Sequence, residues 1–299
     1  MAPSSPVPPA KLAAGIATLE RWGYRVVVAP HVLDRRGHLA GRDEDRVADL
    51  REMFARPDIQ GIFCARGGCG CIRLLPHLDF AALAQTPKVF VGYSDVTLLH
   101  TALNRAGLVT FFGPMVSVEL ARPLPPVAEQ CLRSLVTEPA PLGLLADPER
   151  PAQAVVPGHA VGPLAGGTLS LLCQSLGTPW EFHAPGCLLF LEDVHEPLYR
   201  VDRMLTHLKL AGKLDAAAGF VIGRLHDADL DAEPPLPLSA VLADHLADLG
   251  KPVAIGLPVG HVPGTLTLPL GVRAELDVTP TSVTLRVREP AVAERGCPN

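Results

Sequence analysis

Lys88-Val-Phe-Val-Gly92-Tyr93-Ser94-Asp95-Val-Thr-Leu-Leu-His100 decides the fold. Its first half is a short β-branched and aromatic run, which reads as a strand. From Asp95 to Ala106 the apolar residues recur three and four apart, which reads as a helix. A strand that passes straight into a helix is half of a parallel crossover unit. The same alternation continues upstream. Residues 11–22 are helical by spacing, Gly23 ends them, and Tyr24-Arg-Val-Val-Val-Ala reads as a strand. Residues 43–56 read as a helix with acids early and Arg late, and Gly61-Ile-Phe-Cys-Ala as a strand ending at Arg66-Gly67-Gly68. Another helix is predicted from Ile72. The result is an α/β fold built on a parallel sheet.

The predicted first domain spans residues 1–120. Residues 121–160 are Pro-rich and weakly patterned, and read as a linker. Residues 161–299 form the second domain, with helices over 168–176 and 199–212. Its strands are Cys187-Leu-Leu-Phe-Leu191, Gly219-Phe-Val-Ile-Gly223, Val253-Ala-Ile-Gly256 and the alternating 282–287. Residues 227–237 read as a surface loop. The chain opens on Ala2-Pro-Ser-Ser-Pro, which suits the loop after a strand, so a first strand is expected to be missing.

Composition narrows the function. The 299 residues are 48% hydrophobic and 19% charged, as in a folded globular chain. A net charge of −5 and scattered arginines disfavour nucleic acid and anionic membranes as partners. No apolar run approaches the ~18 residues of a membrane helix. The start lacks the basic and apolar regions of a secretory signal, so a cytoplasmic location is expected. Seven cysteines without framework spacing read as reduced thiols. Cys64, Cys69, Cys71 and His77 cluster in sequence, but their spacing fits no common zinc site, so no metal is expected.

Ligands of parallel sheets bind beyond the carboxyl ends of the strands, and three such ends carry chemistry. Ser94 lies between strand and helix, where a tight turn can lift its hydroxyl, and the backbone N–H of Asp95 can stabilise an oxyanion. Either residue serves equally well as a helix cap. Arg66-Gly67-Gly68-Cys69-Gly70 lets backbone N–H groups approach a ligand, or makes a tight turn. Glu192 follows an apolar strand directly, where a carboxylate is costly unless used or paired. It can orient a histidine or form a structural ion pair. Among 11 histidines, His261 sits in a loop after Gly260.

Taken in order, these stretches resemble the LD-carboxypeptidases, or muramoyltetrapeptide carboxypeptidases. The matching segments are Ile62–Gly68, Arg73–Pro76, Val91–Thr97, Gly113–Met115, Gly166-Gly167, Gly177–Pro179, Leu191–Asp193 with Glu196, Tyr199–Leu205 and Gly260-His261. The resemblance implies a catalytic triad of Ser94, Glu192 and His261. It also implies an N-terminal domain like the class I glutamine amidotransferases and a smaller β-rich C-terminal domain, with the site between them. Backbone N–H groups of Asp95 and of the loop near Gly68 would bind the oxyanion. Arg66 and Arg200 are candidates for holding a substrate carboxylate. The implied substrate is a murein tetrapeptide losing its terminal D-Ala in cell-wall recycling, without a cofactor, by a homodimer. Two residues depart from the family pattern: Cys69 stands in place of tyrosine and Thr168 in place of asparagine; both are expected to alter substrate fit, and neither is expected to touch the triad.

Three rival readings stand beside this one. Microcin C self-immunity peptidases share the triad and cleave aminoacyl-nucleotide conjugates, but need an aromatic platform for the base. Only Trp22 and Trp180 are available as tryptophans. A binding module without catalysis is the second. A glutamine amidotransferase is the third, and would need a cysteine where Ser94 stands.

Overall fold

The computed structural model describes residues 1–225 and 237–294. All but the last residue of the expected surface loop at 227–237 lies outside the described residues. The first part of the chain holds α1 (Pro9–Arg21), α2 (Asp43–Ala55), β1 (Gly61–Phe63), α3 (Phe80–Ala84), β2 (Val89–Gly92), α4 (Thr97–Arg105) and β3 (Thr110–Phe112). Next come α5 (Pro126–Thr137), β4 (Gly143–Leu144), β5 (Gln153–Val156), β6 (Gly158–Thr168) and α6 (Leu169–Ser175). The remainder holds β7 (Leu188–Glu192), α7 (Leu198–Leu210), α8 (Lys213–Ala216), β8 (Gly219–Ile222), α9 (Leu238–Leu246), β9 (Val253–Ile255), β10 (Leu268–Leu270), β11 (Arg273–Val278) and β12 (Val283–Val287).

Two sheets organise these elements, and the fold is α/β as expected. The first has the order β1-β2-β3-β10, with β1, β2 and β3 parallel and β10 antiparallel to β3. The second has the order β4-β12-β11-β6-β7-β8-β9-β5. Its centre, β6 through β9, is parallel, with α6 to α9 in the connections. Strands β7 and β8 are buried at every position. Leu188, Phe190, Val221 and Ala254 join the core shared with the first sheet. Leu189, Leu191, Phe220, Ile222 and Val253 join a second core with α6, α7 and α9. A strand covered on both faces has no polar side, which is why residues 187–191 read as an unbroken apolar run.

Several local expectations need correction. Residues 24–29 form no strand. A β-branched run becomes a strand only beside a ladder partner, and the edge of β1 facing away from β2 is taken by Met1. The Met1 ammonium donates to the Phe63 carbonyl at 3.1 Å, and the Met1 carbonyl accepts from Ala65 N–H at 2.8 Å. The helix expected from Ile72 is broken into 3₁₀ turns at 71–73 and 75–77 before α3. Pro76 lacks a donor there, and Asp79 caps a new start by accepting from Ala82 N–H at 3.0 Å.

The stretch 121–160 read as a linker carries α5, β4 and β5. Pro125 and Pro126 stand before and at the first turn of α5, where they do not break a helix. Ala128, Cys131, Leu132 and Leu135 then bury one face. β10, from the C-terminal part of the chain, completes the first sheet.

Candidate active site

Ser94 terminates β2 in a sharp turn. Tyr93 is extended at φ −156°, and Ser94 then takes φ +65°, a region that disfavours side chains other than glycine. A 3₁₀ turn, Ser94–Val96, leads into α4. Gly67, from the loop after β1, packs against this turn. A Cβ added at Gly67 would lie 2.7 Å from Ser94 Cβ and 2.9 Å from its Oγ. Gly68 has φ +121° and abuts Ser5, whose Oγ accepts from Cys69 N–H at 3.1 Å. The loop therefore meets the serine through Gly67, one residue earlier than the sequence suggested.

Glu192 is aimed by strand parity. Side chains alternate across a sheet. Leu188 and Phe190 face the core shared with the first sheet, so Glu192 faces that side too. Asp193 turns toward the helices, where its carboxylate accepts from Ser170 N–H in the first turn of α6 at 2.7 Å. Glu192 is fully buried, yet both its oxygens are satisfied. Oε2 accepts from His261 N–H at 3.0 Å and pairs with His261 Nδ1 at 2.8 Å. Oε1 accepts from the Thr168 hydroxyl at 2.6 Å.

His261 reaches this carboxylate because Gly260 precedes it. Gly260 has φ +99°, and a Cβ there would lie 2.3 Å from Glu192 Oε2. The chain thus runs flush against the acid. His261 Nε2 lies 3.1 Å from Ser94 Oγ. A carboxylate only accepts, so Nδ1 carries the proton and Nε2 is left to accept from the serine hydroxyl. Burial pulls the His261 pKa down. The hydrogen bond and charge of Glu192, with the charges of Asp193 and Glu119, outweigh burial and leave it above its ordinary value. The Tyr93 ring meets the imidazole edge-on, with centroids 4.9 Å apart. The Tyr93 hydroxyl donates to Glu119 Oε1 at 2.8 Å, and Met115 N–H donates to Oε2 at 3.0 Å. Burial first, then the Glu119 charge, pushes the Tyr93 pKa far up, so the phenol stays a donor.

The remaining expected residues are less central. The Asp95 carboxylate is buried and accepts from Cys71 N–H at 2.8 Å, so only its backbone N–H borders the serine. Arg66 is half-buried and donates to the Pro6 carbonyl at 3.2 Å. Arg200 pairs with Glu196 at 2.8 Å. Both tryptophans pack partly against the core. Cys64 and Cys71 are buried and Cys69 is exposed. Among the described residues, one group, His31, Asp34 and Asp45, brings metal-type donor atoms within 4.8 Å of one another, and it includes none of these site residues. No helix of the described residues is long and apolar enough to cross a membrane.

Comparison with known proteins shows the family of the chain. Residues 1–113 match the LD-carboxypeptidase N-terminal domain, and residues 161–276 match the LD-carboxypeptidase C-terminal domain. The chain belongs to the LD-carboxypeptidase family of serine peptidases. A probable murein peptide carboxypeptidase of Bacillus subtilis is 38% identical, over 98% of this chain and 92% of that protein. The crystal structure of muramoyltetrapeptide carboxypeptidase from Oxalobacter formigenes superposes with a TM-score of 0.85 at 34% identity, covering 97% of each chain. The microcin C7 self-immunity protein of Escherichia coli is more distant, at 26% identity over 91% of this chain and 86% of that protein. Within this LD-carboxypeptidase, Thr168 is the site residue whose contact the sequence did not reveal. The expectation that it stands clear of the triad is corrected, because its hydroxyl donates to Glu192. Thr97, inside the Val91–Thr97 segment, was likewise unassigned, although its hydroxyl accepts from Thr168 N–H at 3.1 Å.

Proposed function

We propose that this chain removes the terminal D-Ala from murein tetrapeptides, using Ser94 as nucleophile, His261 as general base and Glu192 as the acid that orients it. The observation that carries this reading is the continuous hydrogen-bonded series from Ser94 Oγ through His261 to Glu192, assembled from two sheets. In the proposed reaction Nε2 takes the Ser94 proton as Oγ attacks the scissile carbonyl. The imidazolium so formed is stabilised by Glu192, and then gives its proton to the departing D-Ala amine. Water, deprotonated by the same imidazole, hydrolyses the acyl-enzyme.

The backbone N–H of Asp95, together with one from the loop at Gly67-Gly68, is our candidate oxyanion site. Losing one such donor typically costs about 3–4 kcal/mol. The substrate's free carboxylate calls for a cation. Arg66, one residue before Gly67, is the better candidate, because Arg200 is already held by Glu196. A cytoplasmic role in cell-wall recycling, as a homodimer, completes the proposal. Free thiols at all six described cysteines fit a reducing compartment.

The test is mass spectrometry of the protein incubated with L-Ala-D-Glu-meso-diaminopimelate-D-Ala, beside Ser94→Ala. D-Ala release by the wild type alone is expected. Full release by Ser94→Ala would overturn the mechanism. Hydrolysis of an aminoacyl sulfamoyl adenosine, with muropeptides untouched, would replace the substrate.

A further inference from the structure

Glu192 Oε2 has two donors, both from His261, whereas Oε1 has the Thr168 hydroxyl. Thr168 is 4% exposed and Thr97 and Glu192 are 0% exposed, so no bulk water substitutes for these bonds. Thr168 ends β6 beside Glu192, its register partner on β7. Gly167 lets this strand end approach α4. It has φ +148°, and a Cβ there would lie 2.7 Å from Thr97 Oγ1. Thr97 in turn opens α4, three residues after Ser94. A chain of two hydrogen bonds thus joins the helix behind the serine to the acid behind the histidine.

We infer that Thr168 is a positioning residue for the reaction, locking the Glu192 carboxylate through Oε1, and that Thr97 fixes Thr168 in turn. This rests on the triad proposed above. The carboxylate accepts only, so the Thr168 hydroxyl donates. Without that donor Oε1 becomes a buried acceptor with no partner, and the carboxylate is free to rotate away from the plane that serves His261. The charge consequence is specific. The active Glu192–His261 pair carries one net negative charge, and the protonated pair carries none. A donor to Oε1 favours the anionic form, so removing it raises the proton affinity of the pair. The groups that face His261 electrostatically are Glu192, Asp193 and Glu119, and of these only Glu192 is bonded to Thr168, so a change there acts on His261 through that one carboxylate.

The experiment measures the rate at which a fluorophosphonate modifies Ser94, followed by intact mass from about pH 5 to about pH 9. Thr168→Val keeps the shape and removes the hydroxyl, and Thr168→Ser keeps the hydroxyl. Thr168→Val is expected to react about tenfold or more slowly, with its acid limb moved to higher pH by about half a unit or more. Thr168→Ser is expected within about threefold of wild type, with the limb in place. Thr97→Val, which leaves Thr168 itself intact, is expected to shift the limb in the same direction by less, and it decides the matter if Thr168→Val does not fold. Thr168→Val matching wild type, or slowing with an unmoved limb, would overturn the inference. A wild type unlabelled at every pH would overturn the proposed nucleophile and the inference with it. Labelling of wild type but not Ser94→Ala leaves the nucleophile standing while the threonine variants decide.

Discussion

Replacing Glu192 by glutamine separates charge from shape at this site. Glutamine is isosteric, so its amide oxygen can take the place of Oε2 and still accept from His261. Its amide nitrogen then faces the Thr168 hydroxyl, which can accept instead of donate. The Thr168 proton loses Oε1 as its acceptor, a cost set against the removal of a buried charge. Folding stability is therefore expected to change by no more than about 2 kcal/mol. Catalysis is not spared. In the proposed reaction the transition state places a positive charge on His261, 2.8 Å from Glu192 Oε2. At an effective dielectric near 20, that pair is worth roughly 6 kcal/mol. The amide dipole retains part of this, leaving a loss of about 4 kcal/mol, or about a thousandfold in kcat. The pH behaviour has a definite sign. Burial lowers the His261 pKa and Glu192 raises it. With the carboxylate gone, burial dominates, and the acid limb of kcat/KM moves to lower pH, opposite to the shift expected for Thr168→Val. The stability difference should follow. In wild type the raised folded-state pKa of His261 contributes stability below its unfolded value, lost as pH rises through the folded one. In Glu192→Gln that contribution is gone, so the wild type should gain on the variant between about pH 8 and about pH 5.5. The assay is D-Ala release with melting curves at both pH values. Activity within about threefold of wild type would refute the role of the charge. So would a loss of activity matched by a large fall in Tm.

The glycines that seat the proposed triad make a second pair of tests. Gly67→Ala should displace Ser94 through its Cβ, lowering Tm and lowering kcat by about a hundredfold. Gly260→Ala adds backbone strain and a clash with the buried carboxylate, and should lower both Tm and kcat. Tyr93→Phe removes the donor to Glu119 Oε1 while keeping the ring against His261. It should destabilise by about 1–3 kcal/mol in denaturant melts and leave kcat within a few-fold.

What the sequence revealed depended on how local the cause was. The end of β2 was legible because a β-branched run, a serine and a helical period adjoin in one segment. The position of Glu192 stood out because a carboxylate after five apolar residues has few inexpensive places to go, but locally a structural ion pair stayed open, and the resemblance selected its role. His261 carried little local signal, and only the resemblance selected it. The role of Thr168 was hidden for another reason. Its hydroxyl acts on a residue 24 positions away, and its main chain is held by one 71 positions away. Residues 24–29 failed for the converse reason. Their composition suits a strand, but a strand also needs a neighbour, and composition does not supply one. Helix α5 was missed because its prolines were read as breakers, when at the first turn they start a helix.

The two adjacent carboxylates on β7 show how strictly the fold assigns chemistry. Glu192 and Asp193 differ by one methylene and one position, yet one serves His261 and the other serves Ser170 N–H in α6. Strand alternation alone makes that division, because successive side chains leave opposite faces of the sheet. The same alternation sends Leu188 and Phe190 to one core and Leu189 and Leu191 to the other. A slip of one residue in β7 would therefore exchange the carboxylates and also reverse which apolar side chains face each core. The apolar run thus fixes the register of the acid, and burial on both faces is what makes that register hard to change. Site and core are specified by the same five residues, so a lesion that moves Glu192 by register must also unmake the packing that holds β6 and β8 beside it.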